Sequence, residues 1–88
     1  LVVVLGHSNC GAVGAALHHD PSGYVKYITD EIRKAIGDEK DEAKACCLNV
    51  QRSVSVIKES LGEMVERGDL TVCGAVYDIA SGKVAFLD

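Results

Sequence analysis

The opening sixteen residues leave this chain little freedom: Leu1-Val-Val-Val-Leu5 runs into Gly6-His-Ser-Asn-Cys10-Gly11 and then into Ala12-Val-Gly-Ala-Ala16. An unbroken apolar run, mostly β-branched, predicts a strand buried on both faces, as inside a parallel sheet. The small residues after Gly11 predict the opening of a helix. A tight turn between them presents His7, Ser8, Asn9 and Cys10 at the carboxyl end of the strand. Open α/β folds keep their chemistry at that end.

His7 and Cys10 are spaced so that an imidazole nitrogen and a sulfur can converge on one ion. Zinc favours this ligand pair, with bonds of about 2.0–2.3 Å. The unpaired N–H groups and dipole of a helix start favour an anionic ligand there. Gly6 is expected to allow the turn, and Gly11 to leave its N–H open to an anion approaching the metal. For an isolated His-x-x-Cys, two residues that merely pack in a turn would be the default. The flanking glycines and the preceding strand favour metal. Gly6-x-x-x-x-Gly11 has phosphate-loop spacing, but Ala12 and Val13 stand where Lys and Ser/Thr are required. A hydrolase elbow fails because Cys10 replaces its second glycine. A nucleophilic Cys10 with His7 as base stays open, although such a base usually comes from elsewhere in a fold.

Eighty-eight residues make one small domain, able to bury about 60–65% of its unfolded surface. Such a domain would gain stability from further chain or a second subunit over Leu1–Leu5. Thirteen acids against nine bases give a net charge of −4, which argues against nucleic acid and anionic membranes as partners. No apolar run is long enough to span a bilayer. The four cysteines are placed unlike a disulfide framework, so a reducing, cytoplasmic location is expected.

Pro21 and Gly23 break the first helix, leaving His18 and His19 as exposed loop residues. Tyr24 to Ile36 predicts a helix whose stripe of Tyr24, Ile28, Ile32 and Ile36 suits a core or subunit interface, with Gly37 as its stop. Tyr24 and Tyr27 could face a partner subunit. The charged Asp38–Lys44 stretch predicts a solvated face or helix start, and Cys46 and Cys47 are assigned no role beyond packing. Asn49 is expected to cap or interrupt a helix. Val50, Val54, Ile57, Leu61, Met64 and Val65 form a stripe predicted to pack on the sheet, ending at Gly68. Leu70 to Val76 predicts a second strand, with Gly74 marking a close approach and Cys73 in the core. Asp78–Gly82 predicts a hairpin loop and Lys83 to Leu87 a final edge strand. The expected class is α/β, ordered β-α-α-α-β-β, with about three strands. Two are parallel, the last is antiparallel, and helices pack on the sheet.

Val4-Leu-Gly-His-Ser-Asn-Cys-Gly-Ala12 resembles the second metal motif of the β-class carbonic anhydrases. Gly68-Asp-Leu-Thr-Val-Cys-Gly-Ala-Val-Tyr-Asp-Ile-Ala-Ser-Gly-Lys-Val84 is similar to that family's closing strand pair, and Asn49-Val50 fits as well. The resemblance implies a zinc lyase (carbonate dehydratase) that interconverts carbon dioxide and bicarbonate as a homodimer or higher homo-oligomer. It implies His7 and Cys10 as metal ligands and the Gly11 amide as an anion contact. The family's Cys-x-Asp-x-Arg motif does not occur in these residues. Its other ligands and its aspartate–arginine pair are therefore expected in a preceding portion of a larger domain, with the 88 residues alone impaired. Three alternatives stay open: a non-catalytic domain sharing one zinc between two chains, a hydrolase of another small heterocumulene such as carbon disulfide, and a metal-free thiol protein.

Overall fold

In the computed structural model, which describes residues 1–87, a three-stranded sheet carries its helices on one side. The elements are β1 (Val2–His7), α1 (Gly11–His18), α2 (Tyr24–Ile36), α3 (Glu42–Ser60), α4 (Gly62–Glu66), β2 (Val72–Tyr77) and β3 (Val84–Leu87). The strand order is β1-β2-β3. β1 runs parallel to β2, with Val4 opposite Gly74 and His7 opposite Tyr77. β3 returns antiparallel, with Phe86 opposite Ala75. This is the α/β arrangement that the sequence predicts, with one helix more.

Local chemistry explains the helix ends. Asp41 caps α3 by accepting the Lys44 N–H at 3.0 Å. Gly37 closes α2 at φ 55°, a left-handed conformation that suits glycine, and its N–H reaches Arg33 O at 3.0 Å. Arg33 in turn donates from Nε to Ala16 O at 3.1 Å and from Nη2 to His19 O, pinning the link between α1 and α2.

α3 is the helix that packs across β1 and β2. Ideal β-carbons added at Gly6 and Gly74 would each fall 2.6 Å from a different γ-methyl of Val50. Both glycines therefore let one buried valine settle onto the sheet. On its other side α3 meets a cluster of Val13 and Ala16 from α1, Ile32 and Ile36 from α2, and its own Ala45. Thr29, fully buried, donates to Val25 O and Lys26 O at 3.3 and 3.2 Å, so its hydroxyl is satisfied within the helix.

Several expectations need correction. β1 is not buried on both faces: Leu1, Val3 and Leu5 are 81%, 39% and 57% exposed, because helices cover one face only. Gly6 serves the α3 contact, whereas the turn's left-handed residue is Asn9, at φ 54°. Asn49 lies inside α3, whose capped start at Asp41 carries the helix through it. The break comes instead at Leu61, before α4. Leu61 and Met64 are exposed, since the chain turns away from the sheet there. The α2 stripe also divides, with Ile32 and Ile36 buried but Tyr24 and Ile28 exposed.

Candidate metal centre

β1 ends on His7, and α1 begins after Cys10, which occupies its N-cap with extended backbone (φ −68°, ψ 120°). Ser8 and Asn9 make the turn between them. The first helical hydrogen bond runs from Gly14 N–H to Cys10 O at 3.0 Å. The amides of Gly11, Ala12 and Val13 precede it and have no acceptor within the helix. Gly11 is exposed, and apart from its chain neighbours and its own helix backbone no atom lies within 4 Å of where its β-carbon would stand. An anion can therefore approach that amide.

His7 is already oriented. Its Nδ1 lies 2.9 Å from the carbonyl oxygen of Ser8. A carbonyl can only accept, so Nδ1 carries the proton and Nε2 presents a lone pair. Metal-bound histidines characteristically tie off their other ring nitrogen in this way. Cys10 is a half-buried free thiol. The donor chemistry of the pair thus suits zinc. Among the described residues no three His, Cys, Asp or Glu side chains gather closely enough to hold an ion. His7 and Cys10 fit as half of a four-coordinate site.

Both side chains border a cleft of about 700 Å³. Val13, Val76 and Leu87 give it apolar walls, and Cys46 and Cys47 reach it from α3. Cys46, read from the sequence as packing alone, donates its thiol to His7 O at 3.5 Å. Burial raises its pKa, and the neighbouring Cys47 adds to the rise. Cys46 thus holds the base of the turn as a neutral thiol. His18 and His19 are both exposed, but His18 is the last residue of α1 rather than a loop residue, and Cys73 is half-buried in β2.

The sequence reading also missed the far side of the turn. Ser8 N–H donates to Tyr77 O at 2.9 Å, and Ile79 N–H donates to Ser8 Oγ at 2.9 Å. Asp78 between them accepts from Ser81 Oγ at 2.6 Å. Hydrogen bonds from Ser81 and then Ser8 hold the Asp78 carboxyl below its ordinary range. The available signal was the Tyr77-Asp78 pair at the end of a strand parallel to β1, since parallel strands bring their carboxyl ends together.

A family profile described as carbonic anhydrase matches residues 1–84. The carbonic anhydrase of Mycolicibacterium smegmatis is 31% identical over 97 aligned positions, covering 96% of this chain and 47% of that protein. Carbonic anhydrase 2 of Mycobacterium tuberculosis is 27% identical over 106 aligned positions, covering 100% of this chain and 49% of that protein. The crystal structure of the β-carbonic anhydrase CafA of Aspergillus fumigatus superposes with a TM-score of 0.83 at 30% identity, covering 99% of this chain and 48% of that one. The chain spans about half the length of the relatives it matches.

Proposed function

The chain belongs to the β-class carbonic anhydrase family, and from that premise we propose that it supplies the His7–Cys10 half of a zinc site that interconverts carbon dioxide and bicarbonate. The observation that carries this reading is the His7 ring, tied through Nδ1 to Ser8 O with Nε2 free. In a zinc site of this kind the ion acts as a Lewis acid that brings the pKa of water to about 7. His7 Nε2 and Cys10 Sγ hold it. The Gly11 amide orients the bicarbonate oxygens, and the apolar cleft wall suits an uncharged substrate. Two donors leave a four-coordinate ion incomplete, so the remaining ligands come from outside these residues and the 88-residue chain is impaired alone. Four free cysteines are consistent with a cytoplasmic setting. A homo-oligomer is supported by a chain from the crystal structures of two tetrameric β-carbonic anhydrases of Sordaria macrospora, which superposes with a TM-score of 0.75 at 28% identity over 97% of this chain and 50% of that one.

Zinc per chain, measured on protein of verified intact mass, tests the assignment. Zinc held more weakly than in a complete four-ligand site, and lost in both His7→Ala and Cys10→Ala, is expected. Zinc content indifferent to both substitutions would overturn it. Carbon dioxide hydration no faster than that of His7→Ala is expected, and faster turnover would overturn the incomplete-site reading. A shared Cys₂His₂ zinc between two chains is favoured by one observation, that β1 is an edge strand of this sheet. It predicts one zinc per two chains.

A further inference from the structure

Ser8 lies between the two candidate ligands in sequence, and the β2–β3 hairpin grips it twice. Its N–H donates to Tyr77 O and its Oγ accepts from Ile79 N–H, both at 2.9 Å. These two contacts come from the residues on either side of Asp78, so whatever fixes the Asp78 backbone fixes the grip on Ser8. The carboxylate is itself aimed. Ser81 Oγ donates to Oδ2 at 2.6 Å, while Asp78 N–H bonds Lys83 O and Gly82 N–H bonds Asp78 O, each at 2.8 Å. His7 Nδ1 is tied to the carbonyl of Ser8 itself. Any movement of the Ser8 peptide therefore turns the imidazole.

We propose that Ser81, Asp78 and Ser8 form a positioning relay that fixes the turn, and with it the relation of His7 to Cys10, before a metal arrives. The relay rests on the reading of His7 and Cys10 as ligands and adds to it that a loop 71 residues away in sequence sets their geometry. Ser8 and Asp78 act through the ligands and are positioning residues. Partners of this kind typically change metal affinity about 10–100-fold when removed.

The full chain is compared with Ser8→Ala, Asp78→Ala, Ser81→Ala and Ser8→Thr. Two quantities are measured: cobalt(II) affinity by chelator competition, and backbone ¹⁵N relaxation of Asn9 and Gly11 in metal-free protein. Ser8→Ala and Asp78→Ala are expected to lose about 10–100-fold in affinity and to gain fast motion at Asn9 and Gly11. Ser8→Thr, which keeps the hydroxyl, is expected to restore both. Amide exchange across β2 is expected to stay unchanged, showing that the fold is intact. A folded Ser8→Ala with unchanged turn motion and affinity would overturn the relay. If the unaltered chain binds no cobalt, the ligand reading fails for this chain, while the relaxation comparison still decides the relay. If Ser8→Ala does not fold, Ser81→Ala in the exposed loop decides it: smaller shifts in the same direction support the relay, and none overturns it.

Discussion

The two faces of one sheet differ sharply. On the helix side Val72 is buried, and Gly6 and Gly74 meet Val50 at distances that leave no room for another carbon. On the other side Leu1, Val3, Leu5 and Phe86 stand largely in solvent, with Phe86 66% exposed. Ala75, on the middle strand between Leu5 and Phe86 in register, escapes solvent through its neighbours' bulk. Residues of similar apolarity thus contribute very differently to this fold. Burial depends on which parity faces α3. His7 shares the exposed parity of Val3 and Leu5, so the candidate ligand emerges on the rim between a packed face and an open one.

The contrast breaks most visibly in the core. Ile32→Ala or Ile36→Ala is expected to cost about 2–5 kcal/mol. Leu5→Ser and Phe86→Ser should stay within about 0.5 kcal/mol. Urea unfolding of the chain compares them, and equal costs in the helix core and on the open sheet face would end the distinction. Gly74→Ala comes next, at about 1–3 kcal/mol from overpacking against Val50. Combined with Val50→Ala, it should cost less than the sum of the two single changes, because the truncated side chain makes room. A purely additive double mutant would argue against the close approach.

A smaller effect follows from Cys46. Its folded pKa is raised by burial, so the folded state keeps a proton that the unfolded chain releases. Stability should therefore hold below the ordinary thiol value of about 8.5 and fall as pH rises from there through the folded value. Cys46→Ala should flatten that decline in unfolding experiments. The smallest effect is at Glu31, which bonds Lys34 at 2.8 Å and Arg52 at 3.3 Å across α2 and α3. Lys34 chiefly holds its carboxyl low. Its contribution should persist above the ordinary glutamate range and disappear as pH falls through the depressed folded value. Glu31 is exposed, so Glu31→Gln should scarcely move the melting curve.

Much of this architecture was legible in the residues. The strand–turn–helix of the first sixteen, the helix from Tyr24 to Ile36 and the hairpin around Ser81-Gly82 all depend on local chemistry and all form, although β1 runs on through His7 and shortens the turn to Ser8 and Asn9. Gly74 signalled a close approach correctly. Asn49 misled because a polar residue can break a helix or ride on its flank, and the Asp41 cap decided for the latter. Gly6 misled for a related reason. A glycine beside a turn can supply conformational freedom or space, and only the position of Val50 shows that it supplies space.

The sequence by itself determined the order of elements, the parallel pairing implied by a helical crossover, and the pairing of His7 with Cys10 in one turn. These follow from short-range sterics and hydrogen bonding, which neighbouring residues settle among themselves. Tertiary structure alone decided that one face of β1 stays open, that Cys46 lies beneath His7, and that Asp78 and Ser81 reach the turn through Ser8. Those contacts join residues far apart in the chain, and their geometry exists only once parallel strands have brought two carboxyl ends side by side.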